Sequence, residues 1–315
     1  MTEGVLHLDK ISVVIPCFNE AKVLSLFYRE MEKVMKRMNE VDFELIFVDD
    51  GSKDNTLGLI KKYQEKDKRV HYLAFSRNFG KEAAILAGLK FSAGNYIVLM
   101  DADLQDPPYL LDKMYSLLKG EDCDSVATRR VNRQGEPKVR SFFARRFYRL
   151  MNRISKTNII DGARDFRMMK RQMVDAILNM GEYNRFSKGI FGWVGFRTKW
   201  MSYNNIKRAA GESKWSFWKL LLYSFEGITA FSTLPFAFAS FVGIFLCIVS
   251  FISIFIIVFR KLCGAKSAFG WTSMTCIILF LSGIQLFSMG ILGQYLSKTY
   301  LEVKKRPIYI IKEQG

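Results

Sequence analysis

The chain has 315 residues, half of them hydrophobic and 24% charged, with a formal net charge of +17; that length leaves room for one large domain and an appendage. Only two histidines, His7 and His71, and five cysteines without a Cys-x-x-Cys spacing are present, so histidine-based catalysis, a zinc site and a disulfide framework all lack the residues they need. The basic excess is concentrated in one amphipathic stretch rather than spread as a nucleic-acid footprint, and no nucleic-acid partner is expected.

Taken in chain order, apolar runs bounded by turn residues predict strands at Ile11–Ile15, Phe43–Val48, Val70–Phe75, Tyr96–Met100 and Asp124–Thr128. Helical spacing predicts helices between them over Glu20–Asn39, Asp54–Lys66, Gly80–Ser92 and Pro107–Lys119. That alternation predicts an α/β fold with a mostly parallel, Rossmann-like sheet covered on both faces, which binds ligands beyond the C-terminal strand ends.

Each strand end carries polar residues. The first reads VVIPCFNE (Val13–Glu20): Pro16 stops ladder pairing, and Asn19 and Glu20 open a helix, where Asn19 suits either a ligand or a plain helix cap. The second reads FVDDGSKDNT (Phe47–Thr56): Gly51 permits a tight turn, Asp54 suits a cap, and Asp50 is an acceptor fit for the imide N–H of uracil or the matching groups of guanine. In the third, SRNFGKEAAILAGL (Ser76–Leu89), Arg77, Asn78 and Lys81 stand at a helix start, a natural anion site. The fourth, DADLQDPP (Asp101–Pro108), carries Asp101 and Asp103 two residues apart, which on extended backbone puts both carboxylates on one face. Such a pair repels unless a cation lies between, and oxygen-only donors favour Mg²⁺ or Mn²⁺, whose shell substrate phosphate completes. This makes the chain a candidate nucleotide-dependent transferase. Neither G-x-G-x-x-G nor G-x-x-x-x-G-K-[ST] occurs, which removes the dinucleotide and P-loop alternatives.

After Thr128 the alternation ends. Ten basic residues and one acid, Glu136, lie between Arg129 and Lys156, interleaved at helical spacing with Val139, Phe142, Phe143, Phe147, Leu150 and Met151. This predicts a helix lying in a membrane interface against anionic headgroups. A mixed region follows to about Tyr203, then the aromatic cluster Trp215–Trp218. No charge occurs between Glu226 and Arg260 or between Lys266 and Lys298, and each stretch exceeds the roughly 20 residues needed to cross a bilayer. The predicted organisation is a catalytic domain with interfacial helices over 1–230, two transmembrane helices over 231–296 and a basic tail over 297–315. The polar N-terminus lacks a secretory signal. With the excess of lysine and arginine at the membrane ends, that predicts a multi-pass protein of the cytoplasmic membrane with catalytic domain and both termini cytosolic. Gly283, Gly290 and Gly293 suit close helix packing, and a homo-oligomer is expected.

The ordered series VVIPCFNE, FVDDGSKDNT, SRNFGKEAA and DADLQDPP resembles the GT-A family 2 glycosyltransferases. The likeness is strongest to polyprenyl-phosphate glycosyltransferases, among them dolichol-phosphate mannose synthase and bacterial polyprenyl-phosphate glucosyltransferases. It extends through DFRMMKR (Asp165–Arg171), NRFSKGIFGWVGF (Asn184–Phe196), RAAGESKWSF (Arg208–Phe217) and SMGILGQYLSKTYLEVKKRP (Ser288–Pro307), nearly the whole chain. The resemblance implies nucleotide contacts at Pro16, Phe18, Glu20, Val48 and Asp50. It implies a diphosphate and metal site at Asp101, Ala102, Asp103 and Gln105, with Asp103 the chief ligand. Arg129 and Arg208 resemble phosphate-contacting arginines, and Ser213 and Lys214 fall in the loop beside the lipid acceptor. Asp165 is the implied base, with sugar-hydroxyl contact or pairing with Arg167 as the plainer role. Asp106 stands where relatives often have His or Asn, so it could add to the metal shell or compete with it.

The activity so implied is inverting transfer of a hexose from a UDP-sugar to undecaprenyl phosphate, with Arg140, Arg145, Arg146 and Arg149 guiding the lipid phosphate. UDP-glucose leads as donor; UDP-GlcNAc, UDP-galactose and GDP-mannose remain open. A flippase of the same pathway is a further expected partner, and wall-polymer decoration and O-antigen modification both fit as destinations. A processive polysaccharide synthase lacks support because no Gln-x-x-Arg-Trp motif occurs. A membrane-tethered sugar-nucleotide sensor or scaffold would have no use for both Asp101 and Asp103.

Overall fold

The computed structural model describes residues 8–130, 163–203 and 270–315, with scattered positions between 239 and 263. The chain divides into two compact units, residues 1–224 with 307–315, and residues 225–306. The first unit is built on an eight-stranded sheet in the order β7-β5-β6-β4-β1-β2-β3-β8. Its strands are β1 (Lys10–Cys17), β2 (Asp42–Asp49), β3 (Val70–Phe75), β4 (Tyr96–Leu99), β5 (Ser125–Arg130), β6 (Ala163–Lys170), β7 (Thr198–Tyr203) and β8 (Ile311–Gln314). Strands β4, β1, β2 and β3 run parallel, as does β5 with β7; β6 is antiparallel to both β4 and β5, and β8 to β3. The predicted GT-A, Rossmann-like α/β fold with a mostly parallel sheet is the observed one.

The parallel strands are buried on both sides, which is why they read as unbroken apolar runs. Helix α1 (Ala21–Arg37) places Val23, Leu24, Phe27, Met31, Val34 and Met35 on one stripe and packs them on β1 and β2, among Val13, Ile15, Leu45 and Phe47. Full burial of each large side chain there contributes roughly 1.5–3 kcal/mol. The helix closes with Lys36 and Arg37 in its last turn, where cations suit the dipole. Helix α2 (Thr56–Lys66) follows β2, and helix α4 (Leu110–Gly120) adds Leu111, Met114 and Leu118 to the same core. Helix α3 (Lys81–Phe91) buries Ala83 through Leu89. It comes so close to β1 that a Cβ on Gly88 would stand 2.2 Å from Val14 Cγ1, so only glycine fits there. At the opposite end of the sheet from the predicted site, buried Glu44 lies beside Ser12 and takes the Ala93 amide at 2.7 Å and Lys10 Nζ at 2.7 Å. Burial pushes that carboxyl up, but these partners outweigh it and hold it below the ordinary value.

Two further helices, α5 (Arg171–Leu178) and α6 (Ser187–Trp193), follow β6 within the region read as mixed. In the second unit, described positions within 239–259 are helical, and helix α7 spans Trp271–Lys304, 34 residues. A cavity of about 370 Å³ in this unit is lined by Ala239, Val242, Phe280, Ile284 and Phe287. Counted over the described residues alone, no helix is long and apolar enough to cross a membrane. Several side chains of α7 lie outside that count, and its full sequence is uncharged from Trp271 to Ser297, so the hairpin stands as an expectation. The basic segment 297–315 begins as the last turns of α7 and ends as β8, which pairs with β3 at the sheet edge. The interfacial helix of 129–156 lies outside the described residues beyond Arg130.

Candidate active site

The first two loops are stitched together. Asn19 turns the chain at φ +57°, a conformation asparagine tolerates well. Its Oδ1 accepts the Lys53 amide at 2.7 Å and its own amide donates to Ser52 Oγ at 2.9 Å. The Glu20 amide donates to Thr56 Oγ1, and Asp54 accepts the amides of Ala21 and Thr56, capping the start of α2 as expected. Asn19 thus caps its neighbour's loop rather than its own helix. Pro16 pairs with Val48 in the β1–β2 ladder, and the Val48 and Ala102 side chains are enclosed, so both shape the floor of the site.

Asp50 directly follows the last residue of β2. It is 3% exposed, its Oδ1 accepts the Phe79 amide at 2.6 Å, and its Oδ2 accepts Asn78 Nδ2 at 2.8 Å and the Gly80 amide at 3.0 Å. This carboxylate organises loop 78–80. Burial pushes its pKa up to about 6, with the loop amides opposing. Gly51 makes this contact reachable: its φ is +68°, and a Cβ would meet the Arg77 carbonyl carbon at 2.6 Å.

The acidic pair departs from its predicted origin. β4 stops at Leu99, and Asp101 and Asp103 lie beyond it in a turn that includes Leu104 at φ +57°, so strand alternation does not place them. Lys81, at the first position of α3, meets carboxylates rather than an open anion site. Its Nζ is 2.7 Å from Asp101 Oδ1 and 2.8 Å from Asp165 Oδ2. The antiparallel register Leu99↔Arg167 carries Asp165 alongside Asp101 just past the paired residues. Burial works against the Lys81 charge, but Asp101 and Asp165 outweigh it and hold its pKa up. Burial likewise pushes Asp165 up, yet Lys81, Lys188 and Arg167 hold it well below the ordinary carboxylate range.

Two residues beside this cluster were missed as site residues. Arg167, 3% exposed, lies 3.7 Å from the centre of the Phe191 ring, and its Nε has no hydrogen-bond partner among the described residues; burial lowers its pKa to about 10. Glu82 takes the Ser187 amide at 3.0 Å and its hydroxyl, tying α6 to the start of α3. Both belong to motifs quoted from the sequence, but only the fold shows them converging.

Asp106 is buried against Arg164, at 3.1 Å, and the Tyr203 hydroxyl, at 2.6 Å; burial pushes it up while both partners oppose. It braces β6 and β7 through these two contacts. Arg164 also donates to Gln105 Oε1 at 3.2 Å, so the predicted ligand oxygen of Gln105 is engaged. Arg129 donates to Ser202 Oγ at 2.9 Å. Arg140, Arg145, Arg146, Arg149, Arg208, Ser213 and Lys214 lie outside the described residues.

Among the described residues, no group of three or more His, Cys, Asp or Glu side chains is gathered to hold a metal ion. A two-carboxylate site is what a phosphate-completed Mg²⁺ or Mn²⁺ shell needs. Asp103, 8% exposed with one oxygen on the Gln105 amide, and Asp101 supply hard oxygen donors of the right kind.

Residues 12–178 match the model of glycosyl transferase family 2. The chain belongs to this family. Among curated members it is 42% identical to the putative glycosyltransferase CsbB of Bacillus subtilis (strain 168), over 96% of this chain and 91% of that one. It is 38% identical to the prophage bactoprenol glucosyl transferase homolog of Escherichia coli (strain K12), over 96% and 98%, and to the SfII prophage-derived bactoprenol glucosyl transferase of Shigella flexneri, over the same shares. Among solved structures, mannosyl-3-phosphoglycerate synthase from Rubrobacter xylanophilus superposes with a TM-score of 0.50 at 16% identity, covering 70% of this chain and 72% of that one, a likeness of fold. As a family 2 glycosyltransferase the chain is an enzyme of glycosyl transfer, with the Asp101–Asp165–Lys81 cluster at the ligand-binding end of its sheet.

Proposed function

We propose that this glycosyltransferase transfers a hexose, glucose first, from a UDP-sugar to undecaprenyl phosphate with inversion at C1, at the cytosolic face of the membrane. The observation that carries the proposal is the bridging of Asp101, just past β4, and Asp165, on β6, by Lys81, with Asp103 two residues further along the same turn, in a chain whose relatives include bactoprenol glucosyl transferases. Asp103 and Asp101 would hold Mg²⁺ or Mn²⁺, which supplies charge neutralisation for the departing diphosphate. Pro16, Phe18, Glu20 and the 76–80 loop border the nucleotide side, while Arg167 and Glu82 stand on the sugar side next to Asp165.

Asp165 is better suited to orientation than to proton removal. A carboxyl held well below its ordinary pKa by three cations is a weak base. A lipid monophosphate, with a second pKa of about 6, is already largely ionised at cytosolic pH. Asp165 would therefore align the acceptor or the sugar and stabilise positive charge at C1 as the glycosidic bond breaks. The uncharged stretches flanking 260–266 and the basic residues Arg140, Arg145, Arg146 and Arg149 support two spans and a lipid-phosphate approach from the membrane surface. Homo-oligomerisation and handover to a flippase fit the same placement.

Incubating membranes with radiolabelled UDP-glucose, UDP-GlcNAc, UDP-galactose and GDP-mannose plus a short polyprenyl phosphate, followed by lipid extraction, tests the proposal. Labelled lipid should form best from UDP-glucose and should fall at least a hundredfold in Asp103→Ala. Near-normal turnover in that variant would refute the metal assignment. UDP binding without any lipid product would favour the sensor.

A further inference from the structure

We propose that the C-terminal segment Tyr309–Gln314 is a positioning element for the loop 76–80, which rests on the assignment of that loop to the donor nucleotide. Strand β8 pairs with β3 through Leu73↔Gln314, Ala74↔Glu313 and Phe75↔Ile311, and Lys61 Nζ meets Glu313 Oε2 at 2.7 Å. Those contacts alone would be ordinary protection of a sheet edge. The segment does more, because its contacts run past the end of β3. The Ser76 amide donates to the Ile310 carbonyl at 3.0 Å, the first bond of the loop itself.

The Tyr309 ring stacks on Phe75 with centroids 5.1 Å apart and planes 12° from parallel. Phe75 in turn meets Phe79 edge-on at 5.7 Å, and the Phe79 amide is the donor that reaches Asp50 at 2.6 Å. The loop is therefore held between two anchors, the buried Asp50 carboxylate just past β2 and an aromatic chain that ends on Tyr309. Aromatic pairs of this geometry stabilise beyond the area they bury, by enough to change a loop's open population several-fold. Residues 225–306, which separate this segment from the rest of the first unit, make its return a long-range closure that local sequence does not enforce.

The test uses the full chain with Tyr309→Ala, Tyr309→Phe and Glu313→Ala, read by amide hydrogen exchange and by UDP titration. Tyr309→Ala should raise exchange of the Phe79 and Gly80 amides about five- to tenfold, leave Val70–Ala74 unchanged and weaken UDP binding by a similar factor. Tyr309→Phe, which keeps the stack, should behave as the unaltered chain, and Glu313→Ala should leave the loop amides protected. Unchanged loop exchange in Tyr309→Ala overturns the proposal, as does an equal rise along the whole of β3, which would reduce the segment to an edge cover. Absence of UDP binding by the unaltered chain would instead remove the donor assignment, while exchange still reads the hold on the loop.

Discussion

Replacing Lys81 by methionine keeps the stem length and removes the ammonium that joins Asp101 to Asp165. Contacts of 2.7 and 2.8 Å to one nitrogen keep the two carboxylate oxygens within about 5.5 Å of each other. At an effective dielectric near 20, two unit charges at that distance repel by about 3 kcal/mol. The lysine side chain is 43% exposed, so solvent screening reduces the expected loss to about 1–2 kcal/mol, or roughly 3–6 °C in Tm for a domain of this size. The sign with pH follows from Asp165. Burial raises its carboxyl, but the surrounding cations lower it on balance, so its stabilising contribution is present above the unfolded value of about 3.9 and is lost as pH falls through the lower folded value. The Lys81→Met deficit should be full at pH 7–8 and shrink toward pH 4.5, where protonation relieves the repelling pair. Thermal unfolding of the full chain in detergent with a metal chelator measures it. A deficit under 0.5 kcal/mol at pH 8, or one that stays constant across this range, would refute the assignment of Lys81 as the internal counter-cation. The same variant should bind Mn²⁺ more tightly in the absence of nucleotide, since no ammonium competes for Asp101.

Arg164→Met strips buried Asp106 of its ion-pair partner and leaves only the Tyr203 hydroxyl; a loss of about 3 kcal/mol is expected, with substantial recovery in the double variant carrying Asp106→Asn, both read as Tm. Asp50 carries a pKa raised to about 6 by burial. The stability it supports is therefore fully present below about pH 4 and declines as pH rises through 6; Asp50→Asn should gain on the unaltered chain over that interval, and parallel Tm profiles would contradict the burial of an acid at this position.

The parallel half of the sheet was legible because β1 to β4 are buried on both faces, and continuous apolar runs such as Tyr96–Leu99 have few other uses in a soluble domain. β6 escaped notice as a strand because Arg164, Asp165 and Arg167 interrupt its apolar residues; their charges are tolerated only through partners supplied by other elements, such as Asp106 and Lys81. β8 had still less signal, since Ile-Lys-Glu-Gln has no hydrophobic period and becomes a strand only by pairing with residues some 240 positions earlier. The carboxylates themselves were readable from their order along the chain. Their partners were not, because Lys81 reaches Asp101 and Asp165 across 20 and 84 residues. The surroundings of Asp50 and Asp106 were not readable either, because a buried acceptor is claimed by the nearest donors the fold provides, here Asn78, Phe79 and Gly80 for one and Arg164 with Tyr203 for the other.

The charges of the site also constrain how a donor can arrive. Asp101, Asp106, Asp165 and Glu82 face Lys81, Arg164, Arg167 and Lys188 in one neighbourhood, so the cluster is close to neutral before any ligand binds. A nucleoside diphosphate entering alone would add two or more negative charges beside Asp101 and Asp103, and Lys81, by turning toward it, would give up its contacts with Asp101 and Asp165. Under the proposed function, a donor arriving with a divalent cation would avoid this, because its charge would already be largely balanced and Asp101 would exchange one cationic partner for another. Lys81 would then be available to the phosphates, the anion-binding position expected from its place at the start of α3. The internal ion pair and the expected phosphate contact are in this view two positions of one side chain, separated by loading of the donor.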